Sequence, residues 1–508
     1  MKYVVNGLQM KAIDGYTIDE TGIPSLVLME KAAMAVVDVM VKNVHTSDRI
    51  VAVCGKGNNG GDGIAVARNL YHLGYQVDIL LLGEEKNCSK ETKVQLNIAK
   101  KIGLNIFNQL ELSEYNIIID ALFGIGLKGS ILGEHASVIH QINQLSSRVY
   151  SIDIPSGINA DNGKVLNTAI KADETITFGL LKLGHLLYPG SEYAGIVTVS
   201  DIGFSKEAYM QVQPEHFIYE SEDLLQLPAR KAYSNKGTYG KVLVIAGSKD
   251  IFGAPVLSAK AAYKSGAGIV KIITSIHCKE AIQTLLPEAL LFTYDENQFN
   301  DKLMDTIISE IKQADSIVIG PGIGVSNIAK QLLQLVLKYS KVPTVIDADG
   351  INLIAKEEEF SKLREKGDFG TRLNLPAHFI LTPHLKEMSR LIELPVVEIV
   401  DNLLKVATYA TKENDYTLVL KDARTLVTSH GQIYINTSGN NGMATGGSGD
   451  VLSGVIGGLL AQGMTTYKGA ALGVYLHGLA GDYAMKEKGI YSLMASDIIE
   501  ALSSVIRD

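Results

Sequence analysis

Residues 50–73 read IVAVCGKGNNGGDGIAVARNLYHL, which is an apolar run, a glycine-rich turn and a helical pattern in succession. Ile50–Cys54 is typical of a strand buried on both faces, and Gly63–Leu73 is typical of a helix. Glycines between a strand and a helix let backbone N–H groups approach an anion at the helix N-terminus. The stretch therefore predicts an α/β unit with an anion site, although a plain turn capped by Asn59 and Asp62 is an alternative.

The same alternation of apolar runs and helical patterns continues along the whole chain. Further runs in the first half begin at Val77, Tyr115, Val149, Glu174 and Ile196. Those in the second half begin at Lys241, Ile269, Ser316, Thr344, Phe379, Tyr416, Arg424 and Ile433. This order predicts doubly wound α/β folds. Because residues 205–235 are polar and lack apolar periodicity, we expect two domains, 1–210 and 211–508, of which the first is a Rossmann-like doubly wound sheet.

The composition argues against several classes of protein. The chain has 508 residues with 47 basic and 55 acidic side chains, and its net charge of −8 predicts no attraction to nucleic acid or anionic lipid. Its three cysteines are far apart, so neither a disulfide framework nor a cysteine zinc site is expected, and a reducing cytoplasm is indicated. The N-terminus lacks the apolar core of a signal peptide, and no run of 18 apolar residues predicts a membrane span.

Two further polar loops follow predicted strands of the first half. Asp120 precedes the segment ALFGIGLKGS, and Asp153 opens the segment DIPSG. Ligands of open α/β sheets bind at the carboxyl ends of the strands, where these loops would meet the glycine-rich turn. Asn59, Asp120 and Ser156 offer hard oxygen atoms suited to an alkali or alkaline-earth cation, although each aspartate alone could be a helix cap.

The second half carries its strongest motif at residues 440–450, NNGMATGGSGD, which precedes the apolar helical pattern VLSGVIGGLLAQG. Small residues at a helix N-terminus form an anion hole from backbone N–H groups. Asp450 at its end is suited to take a proton from an attacking hydroxyl. Other loops at predicted strand ends are GPGIG at 320–324, DADG at 347–350 and TPHLKE at 382–387. They are weak signals singly, but their common position predicts a second site.

Over residues 1–210, the motifs NNGGDG, FGIGLKG and DIPSG together with Asp120 resemble the epimerase domain of the NAD(P)H-hydrate repair enzymes. This resemblance implies interconversion of the R and S epimers at C6 of hydrated NADH and NADPH. It also implies that Asp153 and Lys128 are the acid/base pair. The residues implied to bind potassium are Asn59, Asp120 and Ser156. The residues implied to line the substrate site are Asn58, Asn59, Gly60, Gly61, Asp62, Gly124, Ile125, Gly126, Leu127, Lys128, Gly129, Ser130 and Asp153.

Residues 225–505 resemble the dehydratase domain of the same enzymes, a ribokinase-like α/β domain, through KGTYGKVLVIAGS, GPGIG, LTPHLKE and NGMATGGSGD. The resemblance implies that ADP or ATP, with Mg²⁺, phosphorylates the C6 hydroxyl of the S-hydrate and that phosphate then leaves. Asp450 is implied to be the base. The positions implied to bind the hydrate are Ala254, Gly322, Gly324, His384 and Asp450. Those implied to contact the nucleotide are Lys421, Asp422, Ala423, Arg424, Thr425 and Gly449.

Three functions remain open on the sequence alone. The first is a bifunctional repair enzyme acting on hydrated NADH and NADPH (NADHX and NADPHX), the second a kinase of a small alcohol or vitamin precursor, and the third a non-enzymatic metabolite-binding protein. The TPHLKE and KGTYG segments favour the first over the second, and retention of Asp153, Lys128 and Asp450 disfavours the third. We expect a cytoplasmic homo-oligomer with no nucleic-acid or membrane partner.

Overall fold

The computed structural model describes residues 1–367, 369–412 and 414–506. It divides into two compact units, one of Tyr3–Glu215 and one of Met1–Lys2 with His216–Asp508. This division lies near the boundary at 210–211 that we expect between the two functional domains. In the ranges described, none of the helices is long and apolar enough to cross a membrane.

The first unit alternates strands and helices. Its strands are β1 (Lys2–Val5), β2 (Arg49–Cys54), β3 (Gln76–Leu81), β4 (Ile106–Phe107), β5 (Ile117–Ala121), β6 (Arg148–Ile152), β7 (Glu174–Phe178), β8 (Leu181–Lys182) and β9 (Ile196–Ser200). Its helices are α1 (Gly7–Asp19), α2 (Ser25–Met40), α3 (Asn58–His72), α4 (Lys90–Lys101), α5 (Gly133–Gln144), α6 (Leu183–Leu186), α7 (Gly190–Tyr193) and α8 (Lys206–Val212). A parallel sheet runs in the order β4-β3-β2-β5-β6-β7-β9, and β1 pairs with β8.

Strand β2 shows why this sheet is doubly wound. Ala52 and Cys54 belong to the apolar core on one face, and Val51 and Val53 belong to the core on the other. All four side chains are fully buried. Both faces of the sheet are therefore covered, which explains the continuous apolar runs and confirms the predicted Rossmann-like fold class.

Helix α3 begins at Asn58, earlier than the Gly63 start that the sequence pattern predicts. The first turn of the helix lies directly against the loop after β2, and a β-carbon on Gly60 would collide with the carbonyl oxygen of Gly55. Glycine disfavours helices in isolation, so tertiary packing overrides its propensity here. This packing brings the backbone N–H groups of the first turn of α3 close to the end of β2.

The second unit contains the remaining elements. Its strands are β10 (His216–Ile218), β11 (Lys241–Ile245), β12 (Ile269–Ser275), β13 (Leu290–Tyr294), β14 (Ser316–Ile319), β15 (Thr344–Ile346), β16 (Arg364–Gly367), β17 (Gly370–Leu373), β18 (Phe379–Leu381), β19 (Thr417–Leu420), β20 (Leu426–Ser429) and β21 (Gln432–Ile435). Its helices are α9 (Gly253–Lys264), α10 (Lys279–Leu285), α11 (Asp301–Lys312), α12 (Asn327–Tyr339), α13 (Asp349–Lys356), α14 (Leu385–Ile392), α15 (Val396–Asp401), α16 (Leu403–Thr411), α17 (Ser448–Ala461), α18 (Thr466–Lys488) and α19 (Ala495–Val505).

The main sheet of this unit runs in the order β13-β12-β11-β14-β15-β18-β19-β20-β21-β10. Strands β11 to β15, β18 and β19 pair in parallel, whereas β20 is antiparallel to both neighbours. Helix α17 is buried along its length and packs on α9, so the apolar stretch after Asp450 is a core helix, as the sequence indicates.

The segment between the two predicted sets of strands is more ordered than its polarity suggests. Helix α8 and strand β10 both lie within residues 205–235, where the sequence indicates no regular element. Phe217 of β10 packs against the rings of Tyr219 and Tyr434, and β10 pairs in parallel with β21. All three residues of β10 are buried, so this short strand belongs to the core although apolar periodicity does not reveal it.

Candidate active sites

The loops that follow β2, β5 and β6 surround a cavity of about 570 Å³ in the first unit. Most of the residues expected to bind the hydrate lie on its wall. They are Asn58, Asn59, Asp62, Gly124, Ile125, Gly126, Leu127, Lys128 and Asp153. Of the others, Gly60 and Gly61 are buried beneath the first turn of α3, and Gly129 and Ser130 are exposed beyond the wall. Nine of the expected positions therefore share one cavity and four do not line it, while their role in binding the hydrate stays a prediction.

Asp153 is held in an uncommon backbone conformation directly after β6. Its φ of 67° lies in the left-handed region, which non-glycine residues rarely adopt. Its carboxylate oxygen Oδ1 accepts a hydrogen bond from the Nζ of Lys182 at 2.7 Å and another from Thr177 at 3.1 Å. Burial alone would raise the pKa of Asp153, but the ammonium of Lys182 outweighs it and holds the pKa below its ordinary value. The group on the wall is therefore a carboxylate.

Lys182 is a site residue that sequence reasoning misses. Its side chain is 1% exposed, and Nζ donates to Asp153, Thr177 and the carbonyl of Phe178. Lys128, by contrast, lines the cavity from an exposed position. The ammonium group bonded to Asp153 is that of Lys182, and the role of Lys128 as an acid/base partner stays a prediction. A lone lysine after an apolar run carries no local signal of burial that could have revealed Lys182.

Asp120 at the end of β5 is fully buried, and in the described ranges no cationic side chain forms an ion pair with it. Its oxygens accept hydrogen bonds from the Ser156 hydroxyl at 2.5 Å, the Ser156 N–H at 2.8 Å and the Ser151 hydroxyl at 2.8 Å. Burial raises the pKa of this carboxyl above its ordinary value. Strands β5 and β6 thus bring two of the three expected potassium ligands together.

Asn59, the third expected ligand, opens α3 beside Gly124, whose β-carbon position would lie 3.3 Å from the Asn59 Oδ1. Its Nδ2 is buried with no hydrogen-bond partner in the described structure. A buried N–H donor without a partner is costly, so this nitrogen favours a hydrogen-bond acceptor on a bound molecule, whereas a cation would be held by the amide oxygen Oδ1. Together with a buried carboxylate that lacks a counter-charge, this donor set of oxygen atoms fits a monovalent cation.

The second candidate site lies at the N-terminus of α17. Gly447 stands before the helix with a φ of 88°, a conformation that glycine adopts without strain. Asp450 lies in the first turn, and its pKa is raised to about 7, chiefly by burial and then by the negative charge of Asp347. A carboxyl group titrating near neutral pH beside free backbone N–H groups has the properties of a general base next to an anion site.

Lys421 follows β19, and its side chain lies close to the N-terminus of α17. Its Nζ donates to Asp347 Oδ1 at 2.9 Å and lies 3.4 Å from the position that a β-carbon on Gly449 would take. The other oxygen of Asp347 accepts a hydrogen bond from Ser453 of α17 at 2.6 Å. Burial would lower the pKa of Lys421, but the charges of Asp347 and Glu387 raise it. Asp347, which opens the DADG loop that the sequence places at the second site, holds a cationic lysine beside the anion site and is therefore a positioning residue.

The structure places one pair of expected hydrate positions side by side and a third beside an expected nucleotide position. Gly322 and Ala254 are neighbours, with 3.3 Å between the alanine β-carbon and the position that one on Gly322 would take. His384 caps α14 through its Nδ1 and forms a β-bridge with Lys421. The N–H of Gly324 donates to Asp349, two residues beyond Asp347. Gly324 and the His384–Lys421 pair thus contact the segment that contains Asp347 and Asp349.

Five of the six expected nucleotide positions lie in the turn between β19 and β20, and the sixth, Gly449, lies in the first turn of α17. Asp422 and Ala423 are exposed, and the hydroxyl of Thr425 donates to the carbonyl of Asp422. Arg424 donates to the carbonyl of Thr437 at 3.4 Å. The turn that follows Lys421 therefore offers polar and cationic groups, and their contacts with a nucleotide stay a prediction.

Comparison with known proteins identifies both units. The family model described as NAD(P)H-hydrate dehydratase matches residues 242–504, and the one described as YjeF-related protein N-terminus matches residues 25–184. A bifunctional NAD(P)H-hydrate repair enzyme from Moorella thermoacetica is 36% identical, with 100% of this chain and 97% of the relative covered. The chain belongs to the bifunctional NAD(P)H-hydrate repair enzymes.

Other relatives agree with this family. A repair enzyme of the same description from Thermofilum pendens is 33% identical, with 98% of this chain and 95% of the relative covered. The solved structure of a ribokinase-like superfamily protein from Enterococcus faecalis V583 is 31% identical with a TM-score of 0.50, and covers 57% of this chain and 95% of its own. The ribokinase-like fold predicted for the second half of this repair enzyme is thereby confirmed.

Proposed function

We propose that this repair enzyme converts both epimers of NADHX and NADPHX to NADH and NADPH in two steps. The first unit interconverts the R and S epimers at C6, and the second uses ADP or ATP to dehydrate the S epimer. The full-length similarity to bifunctional repair enzymes carries this proposal, and two separate sites at strand ends support it. A homo-oligomeric state and a cytoplasmic location stay predictions.

The epimerase step follows from the chemistry of the hydrate. C6 carries a hydroxyl next to the ring nitrogen, so the nitrogen lone pair expels the hydroxyl and water adds again on either face. The step needs a group that protonates the departing hydroxyl and a group that accepts a proton from the entering water. Asp153 is suited to accept the proton from water, because the ammonium of Lys182 keeps its carboxyl group ionised.

The dehydratase step turns a poor leaving group into a good one. Asp450 accepts the proton of the C6 hydroxyl as that oxygen attacks the terminal phosphoryl group of the nucleotide. Backbone N–H groups of α17 and the ammonium of Lys421 then stabilise the charge on the transferred group. The ring nitrogen lone pair then expels phosphate from C6 to give a C6=N iminium ion, and loss of a proton from C5 re-forms the dihydronicotinamide.

Mg²⁺ is proposed to enter with the nucleotide. Magnesium in such sites is held by substrate phosphates and one or two carboxylates. Asp349 fits this donor set, since its carboxylate lies close enough to the first turn of α17 for its charge to raise the pKa of Asp450. When bound, the ion neutralises charge on the phosphates.

The function is tested by giving the full chain mixed R and S NADHX with either ADP or ATP and following NADH absorbance. We expect complete conversion of both epimers, because S is consumed directly and R is converted to S. Conversion of S alone would contradict the epimerase, and no conversion with either nucleotide would contradict both activities. Separate titrations of ADP and ATP identify the phosphate donor.

Potassium is proposed to bind Asn59, Asp120 and Ser156, where it would neutralise the buried carboxylate and fix the loop after β5. Asp120→Asn removes that charge, so we expect the potassium concentration for half-maximal epimerase activity to rise by at least about tenfold. Potassium titration of R-epimer consumption measures this. Asp38→Asn, a change at an exposed position of α2, is the control. An unchanged titration curve for Asp120→Asn would exclude potassium from this position.

A further inference from the structure

The wall of the epimerase cavity carries several carboxyl groups of unequal surroundings. Asp14 from α1, Asp62 from α3 and Asp153 after β6 all line it. Lys182 forms an ion pair with Asp153. Across residues 1–367, 369–412 and 414–506, neither Asp14 nor Asp62 has a hydrogen bond or ion pair to another side chain. Of the three aspartates on the wall, one therefore has a cationic partner within those ranges and two do not.

These surroundings separate the protonation states of the groups. Burial, and then the negative charge of Asp153, raises the pKa of Asp62 well above its ordinary value. Burial also raises the pKa of Asp14, whereas Lys182 lowers that of Asp153. The other titratable groups on the wall are Lys11, Lys56, Glu91, Lys128, His135 and Lys182. Two carboxyl groups whose pKa values are driven apart are suited to act as acid and base in one reaction.

We propose that Asp62 is the general acid and Asp153 the general base of R-to-S epimerisation. This assignment rests on the proposed epimerase function and gives the acid role to Asp62 instead of Lys128. The exposed ammonium of Lys128 is then free to contact the phosphates of the substrate.

The proton balance is as follows for one direction. The carboxyl proton of Asp62 passes to the C6 hydroxyl, and the C6–O bond breaks with its electron pair on the departing water. The ring nitrogen lone pair forms a C6=N double bond. Water then adds to the opposite face of C6 and gives its extra proton to Asp153. Exchange with solvent returns a proton to Asp62 and removes one from Asp153, and the reverse direction uses the same groups in exchanged roles.

The test compares Asp62→Asn with the exposed change Asp38→Asn in the full chain, with purified R or S NADHX and saturating nucleotide. We expect R consumption by Asp62→Asn to fall by about 10²- to 10⁴-fold, to the uncatalysed rate of epimerisation if that is higher. S consumption is expected to match the wild type, because it depends on the second unit. Asp38→Asn is expected to retain both rates.

Thermal unfolding separates catalysis from structure. Since folding raises the pKa of Asp62, its ionised form opposes folding as pH rises through that pKa. Removing the ionisable group should therefore leave the Tm of the first unit unchanged or higher at neutral pH. A structural role would instead lower Tm together with R consumption.

The wild type alone gives a second readout. R consumption measured as kcat/KM must fall as pH rises through the pKa of Asp62, and Asp62→Asn must lose this decline. Asp62→Asn consuming R within about threefold of the wild-type rate, or a wild-type rate that stays constant at high pH, would overturn the proposal. Failure of the wild type to consume R would instead overturn the epimerase function itself.

Discussion

Asp450→Asn is expected to lower kcat/KM for dehydration of S NADHX by about 10²- to 10⁴-fold, the usual contribution of a positioned general base. Asparagine keeps the size of the side chain but cannot accept the proton of the C6 hydroxyl. Nucleotide binding should remain measurable by calorimetry, because the backbone N–H groups of α17 and the ammonium of Lys421 are unchanged.

The pH dependence of dehydration by the wild type tests the same assignment of Asp450 as the base. The pKa of Asp450 is raised to about 7 by burial and by the charge of Asp347. A base must be ionised, so kcat/KM should rise with pH through about 7 and then level off. Asp450→Asn should lose that rise.

The matched control is Asp415→Asn, because Asp415 is exposed and precedes β19, whereas Asp450 lies in the first turn of α17. Its dehydration rate and pH profile should equal those of the wild type. An Asp450→Asn variant that keeps a tenth or more of wild-type kcat/KM, with the same rise near pH 7, would contradict the base assignment.

The strand framework and the glycine loops could be predicted because their signals are local. Ile50–Cys54 is bounded by glycines and apolar throughout, so its burial on both faces is visible in the sequence. The early start of α3 was not predictable, since it depends on the backbone of Gly55 fitting against Gly60. Strand β10 was missed because three residues give no periodicity.

The charge partners of the sites could not be predicted for a different reason. Asp153 and Lys182 are 29 residues apart, and Asp347 and Lys421 are 74 residues apart. Each pair forms only when separate strand ends meet, and neither lysine belongs to a motif that indicates burial. Sequence patterns named Asp153 and Asp347, and the family resemblance named Lys421, but Lys182, both pairings and their effect on the carboxyl pKa values follow from the fold.

Lys182→Met is expected to destabilise the first unit by about 3–5 kcal/mol, because it leaves the Asp153 carboxylate in a buried position without its partner. Methionine replaces the aliphatic part of the side chain, so the loss reflects charge and hydrogen bonds more than volume. Urea unfolding of the full chain, followed by a probe in the first unit, measures the change. R-epimer consumption should fall with it, while S consumption remains.

The double variant Asp153→Asn with Lys182→Met distinguishes a charge effect from a packing effect. It removes both charges, so no uncompensated carboxylate remains, and we expect most of the lost stability to return. Epimerase activity should stay absent, because the proposed base is gone. The lowered pKa of Asp153 stabilises the folded wild type when the pH is above the ordinary pKa of an aspartate, and this stabilisation is lost as the pH falls through the folded value. The difference in stability between the wild type and the double variant should therefore shrink in acid. Equal instability of the single and double variants at neutral pH would show that Lys182 acts through packing and not through its charge on Asp153.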